Sequence, residues 1–226
     1  TVSYSGSVTI SEKKNTVDVL SADEFRATVE KLYGKDSEAY SAMGTANTNW
    51  QDLIYRTAIS HDHNVTVSGA TKNLPYRVSL GYTDQEGILK SSDFQRATAS
   101  FNLSPSLFKD HLNINLNGKG MYAHSKFPNG DAISAAVQMD PTQSPYAYTS
   151  EYHKNLLGSS ADQMIKDFGG YFQWTTDGAA LKDPSWPYTY NTNAPKNPLS
   201  VLDYSTETAH SRSFVGSADI DYKVHG

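Results

Sequence analysis

Six stretches of this 226-residue chain alternate an apolar or small residue with Ser, Thr or Asn. Two clear examples are residues 97–103, ATASFNL, and residues 112–117, LNINLN. A period of two places successive side chains on opposite faces of a β-strand, so one face is apolar and the other is polar but mostly uncharged. Such strands are typical of a wall between hydrocarbon and a water-filled lumen. The pattern therefore makes a membrane β-barrel a candidate fold.

The lengths of the connections between the predicted strands support that interpretation. The strands are predicted at about 2–10, 61–69, 76–84, 95–103, 112–122 and 212–224. Connections after the second and fourth strands are short, whereas those after the first and fifth are long, which sorts them to opposite ends of an antiparallel sheet. Alternation alone favours a soluble β-sandwich, but a sandwich has no physical reason to sort its loops, and outer-membrane barrels do.

The predicted fold is therefore mainly β, an antiparallel up-and-down meander of about six strands from a large outer-membrane β-barrel. We expect one partial barrel domain over residues 1–226, with a long external loop at about 125–210. Short helices are expected in the loops. Ser21 and Glu24 form a capping box for one of them, which ends at Gly34. Further short helices are expected at 50–56, after Asp131 through Met139, and after Ser160 through Phe168.

Composition limits the other possibilities. The net charge of −5 and the absence of a basic stripe argue against nucleic acid as a partner. The chain contains no cysteine, which excludes disulfide scaffolds and thiolate metal sites. Mean hydropathy is −0.55, and no run approaches the roughly 18–20 apolar residues of a membrane helix. Barrel strands are half polar, so these values fit a barrel as well as a soluble protein.

The stretch from Asn47 to Ser104 carries a series of motifs in a fixed order. They are WQD, SHxHNxxxSG, YRVSLGYxxQEGI and FxR. This block closely resembles the early barrel of SusC/RagA-type TonB-dependent outer-membrane transporters. VLSADEF from Val19, LNINLNGKG from Leu112, and Asn197-Pro198 fit the same family.

The resemblance implies a fold and a function beyond what the pattern gives. In that family an N-terminal plug fills a barrel of about 22 strands, and this chain is expected to begin after the plug and to carry the first six strands. The family imports large nutrients, often oligosaccharides or peptides, across the outer membrane of Gram-negative bacteria. Its partners are TonB, a SusD-like surface lipoprotein and outer-membrane lipid. We expect the 226 residues to be part of a longer protein, and the isolated part to associate through its open sheet edges.

Two groups of polar residues in the predicted strands are candidate sites. His61 and His63 are spaced as a possible metal pair, but no third ligand is evident, so they are better interpreted as polar aromatic residues at the outer end of a strand. Charged side chains that share one strand face are expected to line the hydrated lumen rather than to act in catalysis. These are Arg77, Asp219, Asp221 and Lys223.

Aromatic residues of the long loop are the candidate ligand-binding or partner-binding residues. They are Trp174, Trp186, Tyr188 and Tyr190, with Phe172 nearby. Such side chains can stack on sugar rings, dock a partner protein, or form a small core that holds the loop together. Substrate identity does not follow from the resemblance, because this loop has few family markers.

No enzyme is expected. The sequence contains neither a phosphate-binding glycine motif nor a Ser/His/Asp signature, and it predicts no cofactor and no metal. The alternative function is a secreted carbohydrate-binding β-sandwich. A glycan-degrading enzyme is disfavoured, because the sequence does not show the pair of catalytic carboxylates that such an enzyme needs. The barrel and the sandwich differ in where one set of side chains lies, facing lipid or packed on a second sheet. The set is Val78, Leu80, Ala99, Phe101, Ile114 and Leu116.

Overall fold

The structure is a computed structural model that describes residues 1–108, 111–177, 188–191 and 193–224. It divides into two compact units. The first, here named the sheet unit, comprises the described residues of 1–12, 57–127 and 207–226. The second, named the loop unit, comprises those of 13–56 and 128–206. Two long connections between strands therefore form a unit of their own.

The sheet unit contains a seven-stranded antiparallel sheet. Its strands are β1 (Val2–Ser11), β2 (Ala58–Thr71), β3 (Leu74–Glu86), β4 (Asp93–Leu103), β5 (Ser106–Leu107), β6 (Leu112–Pro128) and β9 (Thr206–Tyr222). The long strands lie in chain order, with β9 paired to β6. The short β5 continues β4, since Leu103 pairs with Leu116 and Ser106 with Asn113 in one register. The predicted up-and-down meander of six long strands is confirmed.

Local sequence explains how the short connections form. Pro105 has no backbone N–H to give to the ladder, and it separates β4 from β5, although its carbonyl still accepts from Ile114 N–H at 3.0 Å. Between β2 and β3, the pair Thr71 and Leu74 closes a two-residue turn in which Lys72 has a φ of 49°. Tight hairpins need this left-handed conformation, which a residue with a side chain adopts at some cost.

The strands extend further at one end than alternation predicts. β2 begins at Ala58, β6 continues to Pro128 and β9 begins at Thr206. These ends carry charged, His and Tyr residues that interrupt the apolar pattern, yet the backbone ladder continues through them. Asp93 pairs with Lys126 near the end of β6, for example. Alternation therefore reports where the apolar face stops, not where hydrogen bonding stops.

The loop unit is built mainly from short helices. They are α1 (Ala22–Tyr33), α2 (Glu38–Ala42), α3 (Trp50–Ile54), α4 (Asp131–Gln138), α5 (Glu151–Leu157), a 3₁₀ turn (Gly158–Ser160), α6 (Ala161–Asp167) and α7 (Pro198–Tyr204). Two short strands, β7 (Thr175–Asp177) and β8 (Tyr188–Tyr190), pair with each other. Helices α1, α3, α4 and α6 lie where the sequence predicts them, whereas α2, α5 and α7 were not predicted.

The capping box of α1 forms as expected. Glu24 N–H donates to the Ser21 hydroxyl at 3.3 Å, and the Glu24 carboxylate accepts from the Ser21 N–H at 2.9 Å and from its hydroxyl at 2.8 Å. These bonds, the backbone one foremost, lower the pKa of Glu24. At the other end, Gly34 donates to Glu30 O at 2.9 Å with a φ of 81°.

The core of the loop unit lies where α4 packs against α3 and α7. Trp50, Ile54, Ala136 and Leu202 are among its buried side chains. Trp50 also uses its polar atom, because its ring N–H donates to Asp140 O at 2.8 Å. Burial of these apolar groups is the main stabilising contribution, at roughly 25 cal/mol per Å² removed from water.

Candidate functional site

The apolar face of the sheet is uncovered. Val78 is 39% exposed, Leu80 57% and Phe101 40%, and the register places all three on one face. The described residues of the sheet unit form a single layer, without a second sheet to bury these side chains. A contiguous exposed apolar face on a sheet marks contact with lipid or another apolar partner. The position of these residues favours the barrel over the sandwich.

The height of this face is close to that of a membrane. On β3 the apolar and aromatic residues of the face run from Leu74 to Tyr82, eight steps that rise about 26 Å at roughly 3.3 Å each. A strand tilt of about 40° reduces this rise to roughly 20 Å, against about 25 Å for the apolar band of an outer-membrane barrel.

Histidine and tyrosine rings form a row at one end of the apolar face. His63 stacks on Tyr4, with 2.7 Å between His63 Nδ1 and the Tyr4 hydroxyl. His124 stacks on His210 at a centroid distance of 4.6 Å, and His61 lies 5.1 Å from His63. Among the described residues, no group of three or more metal-ligating side chains includes these histidines. Amphipathic rings in a row are typical of the boundary between hydrocarbon and headgroups.

The opposite face of the sheet carries a hydrogen-bonded network of mostly uncharged groups. The hydroxyls of Thr66 and Ser79 lie 2.8 Å apart on neighbouring strands. Asn102 bonds to both Asn115 and Asn117, and Asn117 Nδ2 donates to Ser217 Oγ at 3.4 Å. This register places Arg77 on the same face as Asp219, Asp221 and Lys223. The arrangement suits a water-filled bore.

An aromatic cluster in the loop unit surrounds His153. The rings of Tyr148, Tyr152, Trp174 and Phe172 lie 5.0 to 5.5 Å from the His153 ring. His153 is fully buried, and burial lowers its pKa to about 4, so the ring is neutral. The Ser150 hydroxyl lies 2.6 Å from His153 Nδ1, but Ser150 is buried as well. No substrate reaches this pair, and the contact holds the start of α5 in place.

Three of the four predicted loop aromatics lie in the described part of the chain. Trp174 is half-buried and packs on His153 and Phe172, which indicates a packing role. Tyr188 and Tyr190 belong to β8, and Tyr190 pairs with Thr175 in the β7–β8 ladder. Trp186 lies outside the described residues. Binding by these four side chains stays a prediction.

Three tyrosines that sequence reasoning did not single out lie together at the surface of the loop unit. They are Tyr146, Tyr171 and Tyr204, and we call them the tyrosine platform. The Tyr171 ring lies 5.8 Å from Tyr146 and 6.1 Å from Tyr204, nearly perpendicular to the latter. Tyr146 is 56% exposed and Tyr204 66%. The three lie 25 and 33 residues apart, so no local motif could have found them.

The loop unit also has a cleft of about 830 Å³. Its lining comes from residues 16–22, 47–51 and 136–139, together with Glu24, Phe25 and Pro141. The Gln51 side chain holds one wall, accepting from Val17 N–H at 2.9 Å and donating to Val17 O at 2.7 Å. Asp18 and Glu24 are the charged residues of the described lining, and Glu24 is engaged in the capping box. The volume falls within the usual range for ligand sites, roughly 300–1,000 Å³.

These features define the class of the protein. A single-layer antiparallel sheet with an uncovered apolar face and a hydrogen-bonded polar face opposite is the wall of a membrane β-barrel, here with a structured unit formed by its long connections. In the part of the chain that the structure describes, no helix is long and apolar enough to cross a membrane.

Comparison with known proteins identifies the family. The chain is 46% identical over 99% of its length to the TonB-dependent receptor SusC of Bacteroides thetaiotaomicron, and it covers 21% of that protein. It is 33% identical over 72% of its length to TonB-dependent receptor P3 of Formosa agariphila, of which it covers 17%. No family model matches the chain. The chain spans about a fifth of the length of these curated relatives.

A solved structure agrees on the fold. The RagAB peptide transporter matches 68% of this chain with a TM-score of 0.52 at 16% identity, and the match covers 24% of the solved chain. Over nearly its whole length, therefore, this chain belongs to the SusC/RagA type of TonB-dependent receptors. The resemblance predicted from the Asn47–Ser104 motifs is confirmed. The relatives are named as receptors and transporters, not as enzymes.

Proposed function

We propose that the chain is part of the barrel domain of an outer-membrane, TonB-dependent importer of large nutrients. Residues 1–226 form a partial barrel domain that supplies six strands of wall, one side of the lumen and external loops. The observation that carries the proposal is the uncovered apolar face of the sheet, opposite a hydrogen-bonded and mostly uncharged polar face. No catalytic step and no cofactor are part of this function.

The nutrient and the partners of the whole protein belong to the proposal as well. RagAB is described as a peptide transporter, and SusC and P3 as TonB-dependent receptors. By analogy the importer takes up oligosaccharides or peptides, draws energy through TonB, and works with a SusD-like surface lipoprotein. Trp174, Trp186, Tyr188 and Tyr190 remain proposed contacts for that substrate or that lipoprotein.

A secreted carbohydrate-binding β-sandwich is the competing function. It requires the apolar side chains of β3 and β4 to be buried against a second sheet. Within the described residues, the other sheet is the two-stranded β7–β8 pair of the loop unit, three residues in each strand. Two such strands have too little area to cover the face of the larger sheet, which supports the barrel.

Expression of the full-length protein in a Gram-negative host tests the function. We expect the protein in the outer-membrane fraction and uptake of labelled oligosaccharides or peptides that requires both TonB and the proton gradient. A strain without TonB is the matched control. Recovery from the secreted or soluble fraction, or uptake that is indifferent to loss of TonB, would contradict the proposal.

A further inference from the structure

We propose that the tyrosine platform binds a pyranose ring of a neutral saccharide, with Asp203 accepting hydrogen bonds from the sugar hydroxyls. The site lies within the loop unit and is distinct from the cluster around His153 and from the 830 Å³ cleft. The inference deepens the proposed function by naming a substrate class. It rests on that function for the exposure of the loop unit at the cell surface.

The ring faces of the platform are available to a ligand. Tyr146 and Tyr204 are each more than half exposed, whereas Tyr171 between them is half-buried and supports both. The ring of Tyr204 stands at 83° to that of Tyr171, and the ring of Tyr146 is tilted by 38° from it. The three rings therefore form an angled aromatic surface rather than one continuous stack.

The backbone beneath the rings is fixed by buried hydrogen bonds. Phe172 is fully buried, and its N–H donates to Pro145 O at 2.8 Å, which brings Tyr171 beside Tyr146. Asn197 Nδ2 donates to the same Pro145 carbonyl at 2.9 Å, and this ties the start of α7 to the other two segments. Helix α7 then presents Asp203 and Tyr204 at its last turn, anchored by four buried residues, Pro198, Leu199, Val201 and Leu202.

Glycines allow Tyr171 to follow α6 closely. Gly169 and Gly170 have φ values of 70° and 93°, a conformation that side chains other than glycine adopt at a cost. A Cβ on Gly169 would lie 2.5 Å from the Tyr204 hydroxyl oxygen, so glycine is also required for the close approach of that ring. Preorganisation of this kind lowers the entropy that is lost when a ligand binds.

The hydroxyl groups hold the rings by their ends. The Tyr204 hydroxyl donates to Gly169 O at 3.0 Å, and the Tyr171 hydroxyl donates to Asp203 Oδ2. Burial, followed by the contact with Asp203, raises the pKa of Tyr171, so its hydroxyl stays protonated as a donor. Asp203 is exposed, and within the described part of the loop unit its Oδ1 receives no hydrogen bond, so this oxygen can accept from an outside donor.

A neutral sugar fits this chemistry better than a cation does. A pyranose has a flat C–H face and a rim of hydroxyls, which match a ring face beside a carboxylate acceptor. An ammonium enclosed between aromatic faces sits several ångströms from each centroid and needs a gap between the rings. Tyr171 contacts both outer rings, at centroid distances of 5.8 Å to Tyr146 and 6.1 Å to Tyr204, and leaves no such gap between itself and either of them.

Calorimetry on the full-length protein tests the site with four neutral hexasaccharides: maltohexaose, cellohexaose, mannohexaose and xylohexaose. The double variant Tyr146→Ala/Tyr204→Ala removes both exposed faces, and Asp203→Asn removes the carboxylate. Tyr33→Ala is the matched control, because Tyr33 is 64% exposed on α1, outside the platform. We expect at least one probe to bind the wild type, at least tenfold weaker binding by the double variant, about fivefold weaker binding by Asp203→Asn, and no change for Tyr33→Ala.

Several outcomes overturn the inference. They are binding of none of the four probes, unchanged affinity in the double variant, and an equal loss in Tyr33→Ala. A double variant that loses a SusD-like lipoprotein while it keeps its saccharide affinity shows a protein-docking surface instead. Outer-membrane recovery and TonB-dependent uptake are measured on the same preparations. If these are retained without saccharide binding, the inference fails alone, whereas if they are absent in the wild type, the proposed function fails.

Discussion

Burial of His153 among uncharged groups links the stability of the loop unit to pH. The neighbours of its ring are Ser150, Tyr148, Tyr152, Phe172 and Trp174. The pKa of His153 is about 4 in the folded chain, against about 6.5 for a histidine in water. The unfolded chain therefore binds a proton first as the pH falls, so this contribution to stability is fully present above about 6.5 and is lost progressively toward 4.

The pH dependence of the loop unit's stability has an expected size and can be measured by amide exchange. A difference of this magnitude corresponds to at most about 3 kcal/mol in the free energy of unfolding. We expect amide exchange in α5, after correction for intrinsic rates, to accelerate between pH 6.5 and 4.5 in the full-length protein. His153→Phe removes the titrating group and is expected to make exchange independent of pH in this range. Equal protection of α5 in the wild type at both pH values would contradict the prediction.

Asn197 is the residue whose loss is expected to loosen the loop unit most directly. It is fully buried, its Oδ1 accepts from Leu199 N–H at 3.0 Å, and its Nδ2 donates to Pro145 O. Asn197→Ala removes the acceptor of the Leu199 N–H and one of the two donors to the Pro145 carbonyl, which keeps its bond from Phe172 N–H, and is expected to cost about 2 kcal/mol. Amide exchange in α7 should become roughly thirtyfold faster. Asn193→Ala, at an exposed position, is the control. Equal effects of the two variants on exchange in α7 would show that the side-chain bonds of Asn197 do not stabilise this helix.

Single residues were predictable where their partners are close in the sequence. The capping box of Ser21 and Glu24 spans three residues, and the sequence signals it. The tyrosine platform was not predictable, because bonds from Asn197 and Phe172 to Pro145 bring together residues far apart in the chain. The role of Trp174 could not be decided from sequence either, since a loop aromatic looks the same whether it packs inward or faces a ligand.

Neighbouring residues of β4 offer a direct test of the two faces of the sheet. Ala99 lies on the apolar face opposite Leu80, and Thr98 lies on the polar face. Arginine on the lipid side costs roughly 2–4 kcal/mol near the middle of the bilayer, whereas the lumen side tolerates it. We expect Ala99→Arg to reduce the amount of full-length protein assembled in the outer membrane, measured by heat-modifiable migration. Thr98→Arg should assemble normally. If Thr98→Arg reduces assembly and Ala99→Arg does not, the two faces are assigned the wrong way round.

Elements were predictable in proportion to their periodicity. The six long strands follow from alternation, and their outer ends were missed because His, Tyr and charged residues replace the apolar partner there. Helices α2, α5 and α7 were missed although α3 and α6, which are as short, were predicted, because five to seven residues give only a weak periodic signal. Their caps, Ser37, Ser150 and Asn197, are present in the sequence, but one capping residue in a polar loop has many other roles.

Long-range hydrogen bonds join the two long connections into one unit, which the sequence did not predict. Thr48 N–H donates to Pro141 O at 2.8 Å, and Ala46 N–H donates to Thr142 O at 3.0 Å. These contacts span more than 90 residues, and hydrophobic periodicity carries no information about them. The predicted external loop at 125–210 therefore shares its core with residues 13–56.

Two open edges govern how the isolated 226-residue chain behaves. Among the strands that the structure describes, β1 pairs only with β2 and β9 only with β6, so each presents an open edge on its outer side. Such edges recruit other strands, and lysine side chains discourage that pairing. We expect the isolated chain, refolded in detergent, to form dimers and larger species by light scattering after size-exclusion chromatography.

Variants on a free edge and on a paired strand separate edge pairing from other association. Ser3→Lys with Ser5→Lys places two charges on the polar face of β1 and is expected to at least halve the oligomeric fraction. Thr98→Lys with Ser100→Lys places the same charges on β4, which is paired on both sides, and should leave that fraction unchanged. A chain that stays monomeric, or that responds equally to both pairs, would show that its edges are not the contact. If the edges are the contact, the full-length protein should show no such species, because barrel closure pairs both edges.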